Sequence, residues 1–126
     1  MSVVLDASAM LALLFEERGA SYVRPQARRG QLLSVNFTEV IERVIRAGGN
    51  PGQAEHTIDR LEIAIVPFDR ILARRAADLR APTRFIGASL GDRACLALGL
   101  TTALPILTAD RDWQQLDLGL DIRIIR

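Results

Sequence analysis

The sequence predicts a three-layer α/β/α domain around a central parallel sheet of about five strands, and two observations carry that reading. Short β-rich apolar runs alternate with longer helical stretches along the whole chain. Turn residues fall between them, as in "AGGNPG", where glycines close one helix before Asn50 caps and Pro51 opens the next. With 126 residues, 49% hydrophobic and 25% charged, the chain has the size and profile of one soluble globular domain spanning residues 1–126.

The first strand is expected at Val3–Leu5, where "VVL" ends on Asp6. Helices at Ala9–Glu16 and Gly19–Arg28 follow; the first, "AMLALLF", is apolar almost all round and should pack inside. A second strand at Leu32–Val35 leads into helices at Phe37–Ala47 and Pro51–Leu61. The third strand, Ile63–Pro67, precedes helices at Arg70–Arg80 and Leu90–Leu100. Strands at Leu104–Leu107 and Ile122–Ile125 complete the sheet.

Composition excludes several chemistries. All 16 cations are arginine, so Schiff-base chemistry and lysine-dependent phosphate sites are ruled out. The lone Cys95 cannot form an internal disulfide, and within "ACLALGL" it reads as a core residue of a reduced compartment. One histidine and one cysteine make a His/Cys zinc site untenable; His56 reads as a surface residue. The opening "MSVVLDASAMLALLF" has no cation before Arg18 and is broken by Asp6, so it reads as neither signal peptide nor membrane span. A soluble, cytoplasmic protein is expected. The net charge of +1 means that a polyanionic partner must be attracted by a local patch.

Acids stand out by position. Asp6, Glu39 and Asp110 lie at or shortly after predicted strand ends, and Asp92 opens the helical run "DRACLALGL". Ligands bind at that edge of open parallel sheets, so acids far apart in sequence should meet there. Each acid alone reads equally well as a cap: Asp6 before the first helix, Asn36 with Glu39 and Ser89 with Asp92 at capping-box spacing, Asp110 at the turn "ADRDW". Together in one crevice they would repel, and a divalent cation is the usual compensation; oxygen donors favour Mg²⁺ or Mn²⁺. Ser8 and Thr108 are placed to orient a carboxylate or a water, and Asp112 is a spare acid beside Asp110. Glu42, one turn beyond Glu39, lies farther from the strand end.

Aspartyl-phosphate phosphatases and receiver domains need a lysine that is missing, and no glycine-rich nucleotide loop follows the first strand. Metal-assisted phosphodiester hydrolysis remains. The segments "VVLDASAMLALLFEE", "SVNFTEVIERV", "FDRILARRAADLR", "SLGDRACLALG" and "LPILTADRDW" resemble those of PIN-domain ribonucleases, specifically VapC-type toxins of bacterial toxin–antitoxin pairs, across essentially the whole chain. The resemblance implies a PIN-like fold with Asp6, Glu39, Asp92 and Asp110 as a metal-holding catalytic cluster. It also implies Mg²⁺ or Mn²⁺ as cofactor and an RNA substrate, with tRNA and rRNA as candidates. Partners it implies are a cognate antitoxin and a second copy of the chain in a homodimer; the apolar helices starting at Ala9 and Phe37 are compatible with groove walls and read equally well as core.

Arg70, Arg74, Arg75, Arg80 and Arg84 in "DRILARRAADLRAPTRF", with Arg93 beside Asp92, are candidate RNA-backbone contacts, against the plain alternative of a solvated helix face. Trp113 and Phe85 could stack on bases, although the core is the commoner place for each. A non-catalytic PIN-fold RNA-binding or interaction module, and a housekeeping RNA-processing nuclease, are the competing functions.

Overall fold

The computed structural model describes residues 2–126. Five strands, β1 (Val4–Leu5), β2 (Gln31–Leu33), β3 (Ala64–Val66), β4 (Ile106–Thr108) and β5 (Ile122–Ile124), form one sheet in the order β3-β2-β1-β4-β5. Every pairing is parallel. The helices are α1 (Ala7–Leu14), α2 (Ala20–Ala27), α3 (Ser34–Arg46), α4 (Pro51–Arg60), α5 (Arg70–Asp78), the short α6 (Arg80–Thr83) and α7 (Leu90–Thr102).

Alternation along the strands separates two cores. Leu5, Leu32 and Leu107 join Met10, Val23, Val40 and Ile58 under α1–α4, whereas Val4, Leu33 and Ile106 join Leu72, Ala76, Leu96 and Trp113 under α5 and α7. Central β1 and β4 are buried throughout, which explains why they read as unbroken apolar runs. This is the expected three-layer fold. No helix among the described residues is long and apolar enough to cross a membrane.

The sequence-based boundaries shift in three informative places. β2 stops at Leu33 and α3 begins at Ser34, three residues before the expected Phe37. The expected Asn36–Glu39 capping box is absent, because Leu33 is the N-cap and Asn36 sits inside the helix. Ser34 Oγ instead accepts the Phe68 N–H at 3.0 Å, tying α3 to the segment after β3. The helix expected over Arg70–Arg80 breaks at Leu79, since Pro82 lacks an N–H and its ring would clash with the preceding turn. Residues 111–115, read as a turn, form a 3₁₀-helix that buries Trp113.

Strand order fixes where a site can form. From β1 the chain runs outward through β2 to β3, then crosses back to place β4 on β1's other side. The switch point therefore lies at the carboxyl ends of β1 and β4, where a crevice opens between diverging connections. Asp6 directly follows β1, and Asp110 follows β4 by two residues.

Candidate active site at the strand switch point

Asp6 is the single residue joining β1 to α1, with extended backbone, and its buried side chain caps the helix. Its Oδ1 accepts from Ala9 N at 2.8 Å and from Ser8 Oγ at 2.6 Å, while Thr108 Oγ1 donates to Oδ2. Ser8 Oγ in turn accepts the Ala109 N–H at 2.8 Å, and Thr108 Oγ1 accepts the Asp110 N–H at 3.0 Å. One hydroxyl network thus pins the end of β1 to the end of β4. Burial pushes the Asp6 carboxyl up to about 6 despite these donors from Ser8, Thr108 and Ala9, with the Asp92 charge adding to the rise.

Glu39 projects from the second turn of α3. Asn36 Nδ2 donates to its Oε1 at 2.8 Å and to Gly91 O at 3.1 Å, bridging α3 to α7. Asp92 and Ser89 form a reciprocal capping box at the start of α7, with Ser89 N donating to Asp92 Oδ2 at 3.0 Å. Asp110 Oδ1 caps the 3₁₀-helix by accepting from Asp112 N at 3.0 Å. Capping and convergence coexist here: Asp6, Asp92 and Asp110 all cap helices, and all three line one open cleft of about 290 Å³ with Glu39. Burial, then the charges of Asp6, Asp92 and Glu39, push the enclosed Cys95 thiol up.

The cleft also contains residues that the sequence reading did not assign to a site: Asn36, Arg43 and Arg46. The two arginines lie four and seven residues beyond Glu39, a spacing that puts all three on one helical face and could have revealed them. Exposed Asp112 and Glu42 are not among its lining residues. Of the other arginines, Arg70 is exposed, Arg74 pairs with Asp78 at 3.1 Å, and Arg75 donates to Thr101 Oγ1 at 3.2 Å. Arg80, Arg84 and Arg93 share a separate pocket. Cys95 and Trp113 are core residues, and His56 is exposed. Phe85, more readily expected in the core, is instead 63% exposed because it rides the 3₁₀ turn after Pro82.

No three acids among the described residues already form a metal cage; each carboxylate oxygen set is held partly by local donors. The donor chemistry nevertheless fits a hard divalent cation: four oxygen-bearing acids line one cleft, with no histidine or thiol on its wall. Asn36 Oδ1 is a buried acceptor without a donor beside them, an atom that a hydrated cation's water would satisfy.

Space for this arrangement depends on Gly91. A Cβ there would fall 2.5 Å from Glu39 Oε2 and 2.7 Å from its Cδ. Gly91→Ala should therefore push the Glu39 carboxylate off α7 and weaken the binding of Mn²⁺ titrated into the cleft by about 10- to 100-fold, the usual cost of losing a group that orients a ligand. Circular dichroism and thermal melting should stay near wild type, and unchanged Mn²⁺ affinity would refute the role given to this approach.

Comparison with known proteins agrees with this architecture. The chain aligns at TM-score 0.77 with a toxin-antitoxin complex from Klebsiella pneumoniae, at 16% identity over 98% of both chains. VapBC-5 from Mycobacterium tuberculosis, a member of the VapBC family of toxin-antitoxin systems, aligns at TM-score 0.63 and 26% identity, covering 99% of this chain and 98% of that one. VapC20 from the same organism, a Sarcin-Ricin loop cleaving toxin, gives TM-score 0.74 and 13% identity over 90% and 93% of the two chains. Comparison with curated proteins finds no match. With the PIN domain matching residues 3–118, in agreement with the strand order and the cleft at its switch point, the chain belongs to the PIN domain family.

Proposed function

We propose that this protein is a metal-dependent endoribonuclease and the toxin of a toxin–antitoxin pair. The observation that carries this reading is the convergence of Asp6, Glu39, Asp92 and Asp110, from four separate segments, on one cleft at the sheet's switch point. Asp6 and Glu39 are the best-fixed candidate ligands, through Ser8, Thr108 and Ala9 in one case and Asn36 in the other. Asp92 and Asp110 complete the donor set. Mg²⁺ or Mn²⁺ held there supplies charge stabilisation at the attacked phosphate and lowers the pKa of attacking water.

The chain's own contributions follow from its geometry. Helix-cap hydrogen bonds hold the carboxylates in place, so less reorganisation accompanies substrate binding. Arg43 and Arg46 line the cleft beside the acids and give an RNA phosphate a favourable approach to an otherwise anionic wall. The antitoxin would lie over α1–α4, where hollows lined by Leu14, Phe15 and Val44 and by Arg24, Arg28 and Arg60 adjoin. The antitoxin is in keeping with the neighbour described as a toxin-antitoxin complex, and a homodimer is part of the same reading.

The test is cleavage of total RNA by purified protein with Mg²⁺ or Mn²⁺ and with chelator, followed by mapping of the new ends. Cutting that requires the cation is the expected result, and expression should arrest growth unless a neighbouring gene product is co-expressed. Absence of metal-dependent cutting would favour a non-catalytic module whose acids serve only as caps. Cutting without growth arrest would instead point to housekeeping RNA processing.

A further inference from the structure

Outside the acidic cleft, Arg80, Arg84 and Arg93 line a pocket of about 220 Å³ with Gly87 and Ala88. Three like charges share one small concavity, and among the described residues none of them forms an ion pair with a carboxylate. Elsewhere on the surface, cations such as Arg28 and Arg74 do find acids. Arg93 is partly buried and fixed: its Nη1 donates to Ala76 O at 3.0 Å at the end of α5, and its Nε is buried with no partner. Anchored through Nη1, this guanidinium brings a fixed positive charge to a pocket shared with two other arginines, a donor set suited to an anion with several oxygens.

Two neighbours narrow the anion's identity. Arg93 follows Asp92 in the first turn of α7, so that turn separates the pocket from the acidic cleft that Asp92 lines. Phe85, next in sequence to the pocket's Arg84, stands 63% exposed, an aromatic side chain accessible to a flat ring. An arginine-lined pocket with an exposed aromatic beside it in sequence, one helical turn from the acidic cleft, suits a nucleotide in an unpaired strand. Leu90, three residues before Arg93 at the start of α7, is also exposed, which raises the alternative of a self-association face. A two-fold contact there would set the arginine cluster against its own copy, which charge disfavours.

We infer that the Arg80–Arg84–Arg93 pocket seats a backbone phosphate of a nucleotide flanking the cleaved bond, and that Phe85 stacks on an unpaired base beside it. The ligand's identity as RNA rests on the nuclease reading, while the measurement below does not depend on cleavage. The probe is a short fluorescein-labelled oligouridylate, titrated by anisotropy at low salt in chelator with wild-type protein and with R80A/R84A, F85A and R29A. Loss of about tenfold in affinity is expected for F85A. R80A/R84A should bind more weakly and flatten the dependence of log K on log salt by about 0.7 for each phosphate no longer neutralised. R29A, on the opposite layer and paired with Glu62, should match wild type.

Wild-type affinity and salt slope in R80A/R84A, or no detectable oligouridylate binding by wild type, would overturn the proposal. So would a shift of F85A from dimer to monomer on sizing with RNA affinity unchanged, which would make this face a protein interface. If the binding pattern holds but no RNA is cut with Mg²⁺, the nuclease reading fails and the pocket assignment stands.

Discussion

Asp6→Asn will lower Mg²⁺-dependent RNA cleavage by about a thousandfold, the order expected when several kcal/mol of charge stabilisation is withdrawn, and will at the same time make the cation-free protein more stable. Both effects come from one carboxylate. Asp6 is the most buried of the four acids, and burial holds its proton up to about 6, from an ordinary 3.8. Because the folded pKa exceeds the unfolded one, the native state binds more protons between about pH 4 and pH 6. Stability from this group is therefore present below that window and is lost as pH rises through it. At neutral pH the folded protein bears a cost of order 3 kcal/mol for keeping Asp6 charged, before other groups respond.

Asparagine removes that charge while preserving size, and its oxygen can still accept the Ala9 and Ser8 donors that cap α1. Urea unfolding in chelator, measured at intervals from pH 4 to pH 8, should show the variant gaining on wild type as pH rises, with the gain levelling off above about pH 7. Added Mg²⁺ should stabilise wild type and leave the variant nearly unmoved. A variant that still cuts RNA at the wild-type rate would remove Asp6 from the reaction. One that is less stable than wild type at pH 8 would show that its hydrogen bonds outweigh the cost of its charge.

The acid pattern was legible because Asp6, Asp92 and Asp110 each abut a sheet end or open a helix, and parallel topology brings such ends together, with Glu39 one turn into the helix after β2. Where prediction failed, a local signal was answered by a distant partner. Asn36 and Glu39 have capping-box spacing, yet Phe68 takes the Ser34 hydroxyl and α3 starts early, so Asn36 becomes a buried bridge to Gly91. Arg43 and Arg46 could have been read from their spacing to Glu39 once that face was known to meet the cleft. Gly91 could not, since its value lies in a close approach of α3 to α7 that no local pattern encodes. Phe85 is exposed because Pro82 breaks the helical run before it, a turn geometry that composition does not reveal.

Trp113→Ala should be the most destabilising single change in the α5–α7 layer, costing about 3–5 kcal/mol, as full truncation of a buried large aromatic does. Trp113 is 1% exposed, at the end of a layer that also holds Leu96, Leu98 and Ile106. A domain of this size has roughly 5–15 kcal/mol in total, so the variant should sit near the edge of folding when followed by circular dichroism in urea. Trp113→Phe separates packing from polarity. Trp113 Nε1 is buried without an acceptor, so phenylalanine gives up ring area but also relieves an unmade hydrogen bond costing about 1–3 kcal/mol. The two terms oppose, and Trp113→Phe should fall within about 1.5 kcal/mol of wild type. Trp113 lies three residues after Asp110, whose carboxylate caps the same 3₁₀-helix, so the cavity left by alanine also loosens one wall of the cleft. Cleavage by Trp113→Ala, measured well below its melting temperature, should therefore fall while that of Trp113→Phe is retained. Equal activity in both would mean that the cap holds Asp110 without the packing beneath it.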